Sequence, residues 1–427
     1  MKTLIIGGGW SGLAAAVTLV QQGHAIHLIE SAKQLGGRAR NISWKGQDID
    51  NGQHLMIGAY QEMLNMMALV GVSSEQAFDR YPLDITIYDT LFPPLNLSAK
   101  NWLPWPLSLA WNLIASAGFT GFYQVSKLQS HSNKLLSGKD ISVSDWLLLT
   151  KQSDRLIKQL WVPLCLATLN TPITEASAHR LASVLQESLG RGKLAADSLI
   201  PRIPLSDVFP SAAAKYINEH GGKISLQTRA KTLLIQDNKV QGMICQDGNE
   251  IIADNIIVAT SSAYAADLLS PYLTLYKPIE YPISTVYLRY PAPISLPSPM
   301  MGMTGTISQW VFDRGAQSAG LLAVVISAPG EHEKLSKAEL VSIVSKELHD
   351  MLPSLPQQPS DSIVIREKRA TFACTVNIEQ QRPQSETTIS GLWLAGDFVA
   401  NGYPATLEGA IRNGKLCAKL LLTKSSA

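Results

Sequence analysis

Thr3-Leu4-Ile5-Ile6-Gly7-Gly8-Gly9-Trp10-Ser11-Gly12 stands at the N-terminus, and Ala25-Ile26-His27-Leu28-Ile29-Glu30 follows it. Thr3 to Ile6 predicts a short apolar strand, and Gly7 to Gly12 fits the spacing G-x-G-x-x-G. Leu13 to Gln22 is Ala-rich with helical spacing, and Gly23 closes it. Ala25 to Ile29 predicts a second strand, ending at Glu30. Each part has a task in binding a dinucleotide. Gly7 permits the tight turn, Gly9 lets the backbone approach a pyrophosphate, and Gly12 lets helix and strand pack closely. The helix start at Trp10, Ser11 and Gly12 supplies N–H groups and a positive dipole end to phosphates. Glu30 is placed to accept hydrogen bonds from a ribose diol. Strand, helix, second strand and acid at this spacing predict an α/β protein with a Rossmann-like nucleotide fold at its N-terminus.

Composition sets the surroundings. At 427 residues the chain is long enough for two or three domains' worth of core, and its apolar fraction of 46% gives no sign of disorder. A net charge of +2 implies no strong field for nucleic acid. Cys165, Cys245, Cys374 and Cys417 are scattered, with no C-x-x-C and no zinc spacing. They suit a reducing, cytoplasmic compartment and predict neither a disulfide framework nor a metal site. The N-terminal apolar run is only a strand long and dissolves into glycines, which argues against a signal peptide. No uninterrupted apolar segment reaches the ~18 residues of a membrane span.

Further along, Gly36-Gly37-Arg38 predicts a second anion-binding loop, with Arg38 offering a fork of donors. Asp48-Ile49-Asp50 ends a strand and leads into Asn51-Gly52-Gln53-His54. Ala59 to Val70 predicts a helix and Asp84 to Thr90 a strand. Residues 91 to 125 concentrate Trp, Pro and Leu, with Trp102, Trp105 and Trp111 prominent. Two readings are open for this stretch: a monotopic membrane-contact patch or greasy entrance, and a helical pair packed into a second domain. Residues 151 to 189 read as helices interrupted near Asn170-Thr171-Pro172, with Thr174 as the next N-cap. Leu205 to His220 predicts one helix. Thr232 to Asp237, Val240 to Asp247 and Glu250 to Ile252 predict a β-meander, and Ile256 to Thr260 a buried strand. Strands recur between 284 and 328, Ser336 to Met351 is helical, and Ile363 to Phe372 is a strand. Near the C-terminus, Leu392-Trp393-Leu394-Ala395 predicts a strand running into Gly396-Asp397. Gly402-Tyr403-Pro404-Ala405-Thr406-Leu407-Glu408-Gly409-Ala410 then opens a helix. The two ends of the chain can therefore build one nucleotide site.

Gly7 to Gly12, Glu30, Gly36-Gly37-Arg38, Ala395-Gly396-Asp397 and Glu408-Gly409-Ala410 together resemble the FAD-dependent amine oxidase and phytoene desaturase superfamily, in order along the whole chain. Asp50 to His54, Gly402 to Ala410 and Arg369-Ala370-Thr371-Phe372 are similar to the bacterial squalene-associated flavoproteins described as hydroxysqualene dehydroxylases. The resemblance implies an FAD domain assembled from discontinuous segments, 1–75, 205–270 and 390–427. It implies a mixed-sheet and helical substrate domain from 76–204 and 271–389. By the same resemblance Glu30 holds the adenosine ribose. Gly36, Gly37 and Arg38 sit near the pyrophosphate, and Ala230 presents backbone to adenine. Gly396 and Asp397 bind the ribityl or pyrophosphate region, and Gln53 lies near the flavin. The helix start at Thr406, Leu407 and Glu408 faces the flavin pyrimidine.

Two departures weaken an amine substrate. Thr406 stands where many amine oxidases carry an aromatic residue, and no cysteine lies where a covalent flavin attaches, so FAD is expected to be non-covalent. The implied reaction is replacement of an allylic hydroxyl by hydride in a long, apolar cavity, on an isoprenoid lipid of squalene type. The protein is expected in the cytoplasm, peripheral on the inner face of the cell membrane if residues 91 to 125 are a membrane-contact patch, and the electron donor is left unassigned. His54 is the candidate acid, against the alternative that it only braces its loop. Tyr403 and Cys374 either line the cavity or pack the core. The competing readings are a carotenoid desaturase, an amine oxidase and a non-catalytic isoprenoid-binding flavoprotein.

Overall fold

The computed structural model describes residues 2–98, 103–291 and 294–426. Five short strands form a parallel sheet in the order Lys223–Ser225, Ala25–Ile29, Lys2–Ile6, Asn255–Val258, Leu392–Leu394. The two strands of the opening motif are thus joined by segments from the middle and the far end of the chain. Apart from the edge strand Lys223–Ser225, the strands are mostly apolar and almost all buried, as expected of a parallel sheet covered on both faces. Helices Trp10–Gln21, Pro210–Glu219 and Leu407–Ser426 cover one face, packing Leu13, Leu19, Phe209, Ile217, Ile411 and Leu421 together. The other face meets the antiparallel meander Ala230–Gln236, Lys239–Cys245, Glu250–Ile252, close to its sequence reading.

A second, seven-stranded mixed sheet runs in the order Asp361–Phe372, Glu280–Arg289, Leu321–Ser327, Trp310–Asp313, Met300–Thr304, Asp84–Asp89, Leu95–Ser98. Strand periodicity sorts its two faces. Val286, Leu288, Val324 and Ile326 pack with Leu340, Val344 and Leu348 of helix Lys337–Met351. Tyr287, Phe312, Ala323 and Val325 point the other way, into a cluster with Trp44, Ile85 and Trp310 that borders a large cavity.

Three local readings change. The helix expected over 205–220 is two, Leu205–Val208 and Pro210–Glu219, because Phe209 precedes a proline and leaves helical geometry (φ −147°). Ser177, not Thr174, caps helix Ala178–Ser188 by accepting from the Arg180 N–H. The Trp-rich stretch contributes strand Leu95–Ser98 and helix Trp105–Leu136, which breaks at Gly118 (φ 72°). One side of this kinked pair packs inward through Leu113 and Leu128, while Leu107, Trp111, Phe119 and Tyr123 are exposed. Trp102 lies outside the described residues. Among the described residues, no helix is long and apolar enough to cross a membrane.

Candidate active site

A cavity of about 1040 Å³ runs from the first glycine turn to the inner face of the seven-stranded sheet. Its nucleotide-side end is made mostly of main chain. Gly7 sits at φ +112°, and a Cβ there would fall 2.4 Å from the Ala259 carbonyl oxygen. A Cβ on Gly12 would fall 2.1 Å from the Gly7 oxygen, so Gly12 serves close packing and lies behind the wall. A Cβ on Gly9 would meet nothing within 4 Å, leaving an open approach to the backbone. Helix Trp10–Gln21 begins beside that opening without a side-chain cap and without an acid in its first turn. Its first N–H groups therefore offer a positive end to an anion.

The second glycine loop is pinned to the first. Gly36 N–H donates to the Gly8 oxygen at 2.9 Å. Asn51 braces the same loop, accepting from Arg40 N–H at 3.2 Å and donating to the Arg38 oxygen at 2.9 Å. Glu30 ends its strand on the cavity wall and accepts from the N–H groups of Gly8 and Ala32, each at 2.7 Å. Arg38 spans the cavity side to the C-terminal loop, donating to Asp397 Oδ1 at 2.6 Å and to the Ala370 oxygen at 3.0 Å. Two residues expected to contact the cofactor independently are thus an ion pair. Ala230 lines the wall with its carbonyl bonded to the Tyr264 hydroxyl. Trp10 lines it too, but its ring is buried against Phe209 and its Nε1 donates to the Ala39 oxygen at 3.1 Å.

Gly396, Asp397, Thr406 and Leu407 line that end, but the Glu408 side chain does not. Its fully buried carboxylate caps helix Gln61–Leu69, accepting from Glu62 N–H (3.1 Å) and Met63 N–H (2.8 Å), and pairs with Arg412 at 2.7 Å. Burial raises its pKa, opposed by those donors. Helix-end donors and a cation drew this acid away from the cavity. Thr406 caps its own helix, accepting from Gly409 N–H at 3.0 Å, which accounts for a small hydroxyl in place of an aromatic ring. The sequence reading passed over Arg382. Its buried guanidinium donates to the carbonyls of Asp397 and Val399 (2.6 Å each) and Tyr403 (2.8 Å) and to Asn401 Oδ1 (2.9 Å). It shapes the irregular 396–403 loop, yet nothing local marks it, because its partners lie up to 21 residues away.

The far end is made of side chains. Leu83, Ile85, Leu97, Met300, Trp310 and Phe312 line it from the sheet, and helix Ala178–Ser188 adds Arg180, Val184 and Glu187. Gln53 and His54 line the passage between the ends. His54 Nδ1 lies 2.7 Å from the Gly52 carbonyl oxygen, which only accepts, so Nδ1 carries the proton and Nε2 a lone pair. Burial lowers the His54 pKa, with the Gly52 contact opposing. His54 is therefore a neutral imidazole with its proton committed, which suits the bracing role over that of an acid. Tyr403 lines the cavity; Cys374 does not, being buried in a separate core cluster. The other three cysteines are also buried and away from the lining. Among the described residues, no cluster of metal-ligating side chains occurs.

The residues present suit a flavin dinucleotide. Ser11 Oγ and Gln53 Oε1, both buried on the wall, have no hydrogen-bond partner within the protein. Such atoms ordinarily find one. With the Gly9 opening, the uncapped helix start and Glu30, they form a cradle for a polar, anionic ligand.

Comparison with known proteins agrees. The chain is 28% identical over 433 residues to a hydroxysqualene dehydroxylase of Zymomonas mobilis, covering 99% of each chain. It is 24% identical to a 15-cis-phytoene desaturase of Capsicum annuum, covering 99% of this chain and 78% of the relative. An oxidoreductase structure from Methanosarcina mazei superposes with a TM-score of 0.77 at 18% identity, covering 98% of this chain and 100% of the other. The model of the flavin containing amine oxidoreductases matches residues 10–422. With nearly its whole length matched and a cradle of the right chemistry, the chain belongs to the flavin containing amine oxidoreductase family and is an FAD-dependent oxidoreductase.

Proposed function

We propose that the protein replaces the allylic hydroxyl of hydroxysqualene by hydrogen, giving squalene. The observation that carries this is the cavity itself: a polar cradle at one end continues into an apolar chamber at the other. Near full-length similarity to a hydroxysqualene dehydroxylase supports the choice of substrate. When bound and reduced, FAD supplies the hydride equivalent. The protein's own residues do the rest. Backbone N–H groups at Trp10–Gly12, the Glu30 carboxylate, and Arg38 paired with Asp397 hold and orient the dinucleotide without a covalent link. The start of the C-terminal helix, with Thr406 and Leu407 on the cavity wall, would favour negative charge on a flavin bound there. Leu83, Ile85, Met300, Trp310 and Phe312 bind the hydrocarbon and exclude water from the carbon that loses oxygen. In this reading residues 1–75, 205–270 and 390–427 form the FAD part and the remainder the substrate part.

Substrate this apolar is drawn from a bilayer, and the kinked helix supplies the contact face. Exposed Leu107, Trp111, Phe119 and Tyr123 recur along it. The turn after helix Val143–Leu149 is bonded to it, Gln152 Nε2 to the Gln124 oxygen at 2.8 Å, which brings exposed Leu148 and Leu149 to the same region. Residues 90–139 contain Lys100, Lys127, Lys134 and Lys139 and no acid, a balance suited to anionic lipid on the inner face of the cell membrane. Replacing Trp111, Phe119 and Tyr123 by Ser should release the folded protein from anionic liposomes; undiminished flotation would defeat this assignment.

The phytoene desaturase similarity favours one rival, oxidative desaturation of a related lipid. Anaerobic incubation of the FAD-loaded, dithionite-reduced protein with hydroxysqualene separates them. The expected result is squalene with reoxidation of the flavin. No turnover here, with new double bonds formed by oxidised protein on phytoene, would establish the rival.

A further inference from the structure

We propose that Tyr403 and Glu187 deliver the proton that the departing hydroxyl requires, Tyr403 as the acid at the leaving oxygen and Glu187 as its link to solvent. The proposal rests on the dehydroxylation reading. Replacing C–OH by C–H uses a hydride and a proton, and the structure must bring the proton into an apolar chamber.

Arg229, Tyr264 and Asp267 line the cavity beside Ala230, and Glu367 and Arg369 line it beside Ala370, whose carbonyl holds Arg38, so these belong to the nucleotide end; elsewhere His54, Tyr60, Arg180, Glu187 and Tyr403 line it. The His54 proton is held by the Gly52 carbonyl. Tyr60 sits beside Thr406 and Glu408, and the Glu408 carboxylate is fully buried and bonded to helix N–H groups and Arg412, so no route reloads it. Arg180 is bonded to the Gly402 carbonyl, and a guanidinium does not release its proton. Tyr403 and Glu187 differ. The Tyr403 hydroxyl donates to Glu187 Oε2 at 3.2 Å, across 216 residues of sequence, so its proton is shared with a group that reaches water. The other Glu187 oxygen pairs with Arg191 at 2.6 Å, and these side chains are 30% and 54% exposed. An unbroken path thus joins chamber, tyrosine, carboxyl group and water.

Burial, with Glu187 and Glu408, keeps the proton on the phenol at rest, and Arg412 opposes them. Arg412 lies over its ring at 4.6 Å, near enough to stabilise a phenolate. Tyr403 also packs against the start of the C-terminal helix: a Cβ on Gly409 would fall 3.0 Å from Tyr403 Cβ. The charged and titratable groups around it are Glu187 from helix Ala178–Ser188, Arg412 and Glu408 from the C-terminal helix, and Tyr60, with Arg382 on its own carbonyl and Arg180 on the adjacent one. In the step, the allylic C–O bond breaks and the Tyr403 proton passes to the oxygen, which leaves as water. The carbon takes the hydride, with its electron pair, from the reduced flavin. The Glu187 carboxylate then takes up a proton from solvent and passes it to the phenolate, which restores both groups.

Tyr403→Phe and Glu187→Gln in the FAD-loaded protein test this. Flavin reoxidation is followed after mixing the reduced enzyme anaerobically with hydroxysqualene or with its acetate ester, whose carboxylate leaves without a proton. Both variants should keep the wild-type affinity for FAD, read by fluorescence titration. Tyr403→Phe should react with the alcohol about 10²–10⁴-fold more slowly, in kcat rather than KM, and with the ester within about fivefold of wild type. Glu187→Gln, changed at a partly exposed position, should slow the alcohol roughly tenfold and leave the ester within about fivefold of wild type. A Tyr403→Phe enzyme as fast as wild type on the alcohol, or equally slowed on both substrates, overturns the proposal alone. A wild-type enzyme inert toward the alcohol overturns the dehydroxylation reading, and the proposal with it.

Discussion

The cavity's two ends are built on different principles. At the nucleotide end the contacts come from main chain: Gly9 open to the cavity, Gly7 and Gly12 packed against backbone oxygens, a helix start with free N–H groups. At the far end they come from side chains carried by one sheet and one helix, such as Met300, Trp310, Phe312 and Glu187. Backbone recognition demands glycine at fixed local spacing. A side-chain wall demands only that bulky residues arrive from distant segments, and many combinations fill the same volume. The first kind of site resists substitution; the second tolerates exchange and carries specificity.

The sharpest way to break this comparison is within the glycine turn. Gly12→Val puts a branched side chain where even a Cβ falls 2.1 Å from the Gly7 oxygen. It should cost about 3 kcal/mol or more of stability, read as a lowered denaturant midpoint in protein stripped of FAD. Gly9→Ala, at φ −74° with open space around it, should leave that midpoint unchanged and instead weaken FAD binding. If both variants lose the same stability, the two glycines do not have separate tasks.

A second test concerns the join between the ends. Asp50 is 2% exposed; its Oδ1 accepts from Leu205 N–H at 2.9 Å, and the Tyr287 hydroxyl donates to its carbonyl at 3.0 Å. Burial raises its carboxyl pKa to about 6, against the opposing pull of the Leu205 N–H and Arg314. The folded protein therefore holds this proton more tightly than the unfolded chain. Its contribution is fully present below the ordinary carboxylate range and is lost as pH rises through about 6. Asp50→Asn keeps an acceptor for Leu205 and removes the titration. The variant should gain on wild type between pH 4 and 7, by on the order of 2–3 kcal/mol. Parallel stability curves for the two proteins would show that Asp50 is ionised in the fold at no cost.

How much was readable follows the same division. Gly7 to Glu30 displayed strand, turn, helix, strand and acid because each is fixed by neighbours within a few residues. The strand at Leu392 and the helix after Thr406 were readable for the same reason. Glu408 was read as part of a helix start, but the course of its side chain was not legible, because its partners, the N–H groups of Glu62 and Met63, lie 345 or more residues away. Arg382 and the Tyr403–Glu187 contact escaped for that reason too. The Trp-rich stretch was open to a membrane-contact and a packed-helix reading; its helix packs Leu113 and Leu128 inward and leaves Leu107, Trp111, Phe119 and Tyr123 exposed. No periodicity could have separated them across the break at Gly118.

A third prediction measures the acid at the end of the motif. Glu30→Ala removes the acceptor expected at the ribose and frees the N–H groups of Gly8 and Ala32. FAD affinity should fall by about 1.5–3 kcal/mol, roughly ten- to a hundredfold in Kd by fluorescence titration. A loss below threefold would mean that the main-chain cradle alone holds the dinucleotide.

The smallest effect is expected where the two ends meet, at His54. The sequence offered two roles, acid or brace, and the geometry separates them. An acid must arrive with a proton to give, yet burial disfavours the imidazolium and the single ring proton sits on Nδ1 against the Gly52 carbonyl. Nε2 can accept a hydrogen bond but cannot donate one. His54→Ala should therefore slow hydroxysqualene turnover less than tenfold, far short of the roughly 10²–10⁴-fold expected for a general acid. His54→Asn, whose amide N–H can take the place of Nδ1–H, should recover most of that small loss. A fall beyond a hundredfold in both variants, with FAD affinity intact, would return His54 to the proton-transfer step and take that task from the tyrosine–glutamate pair.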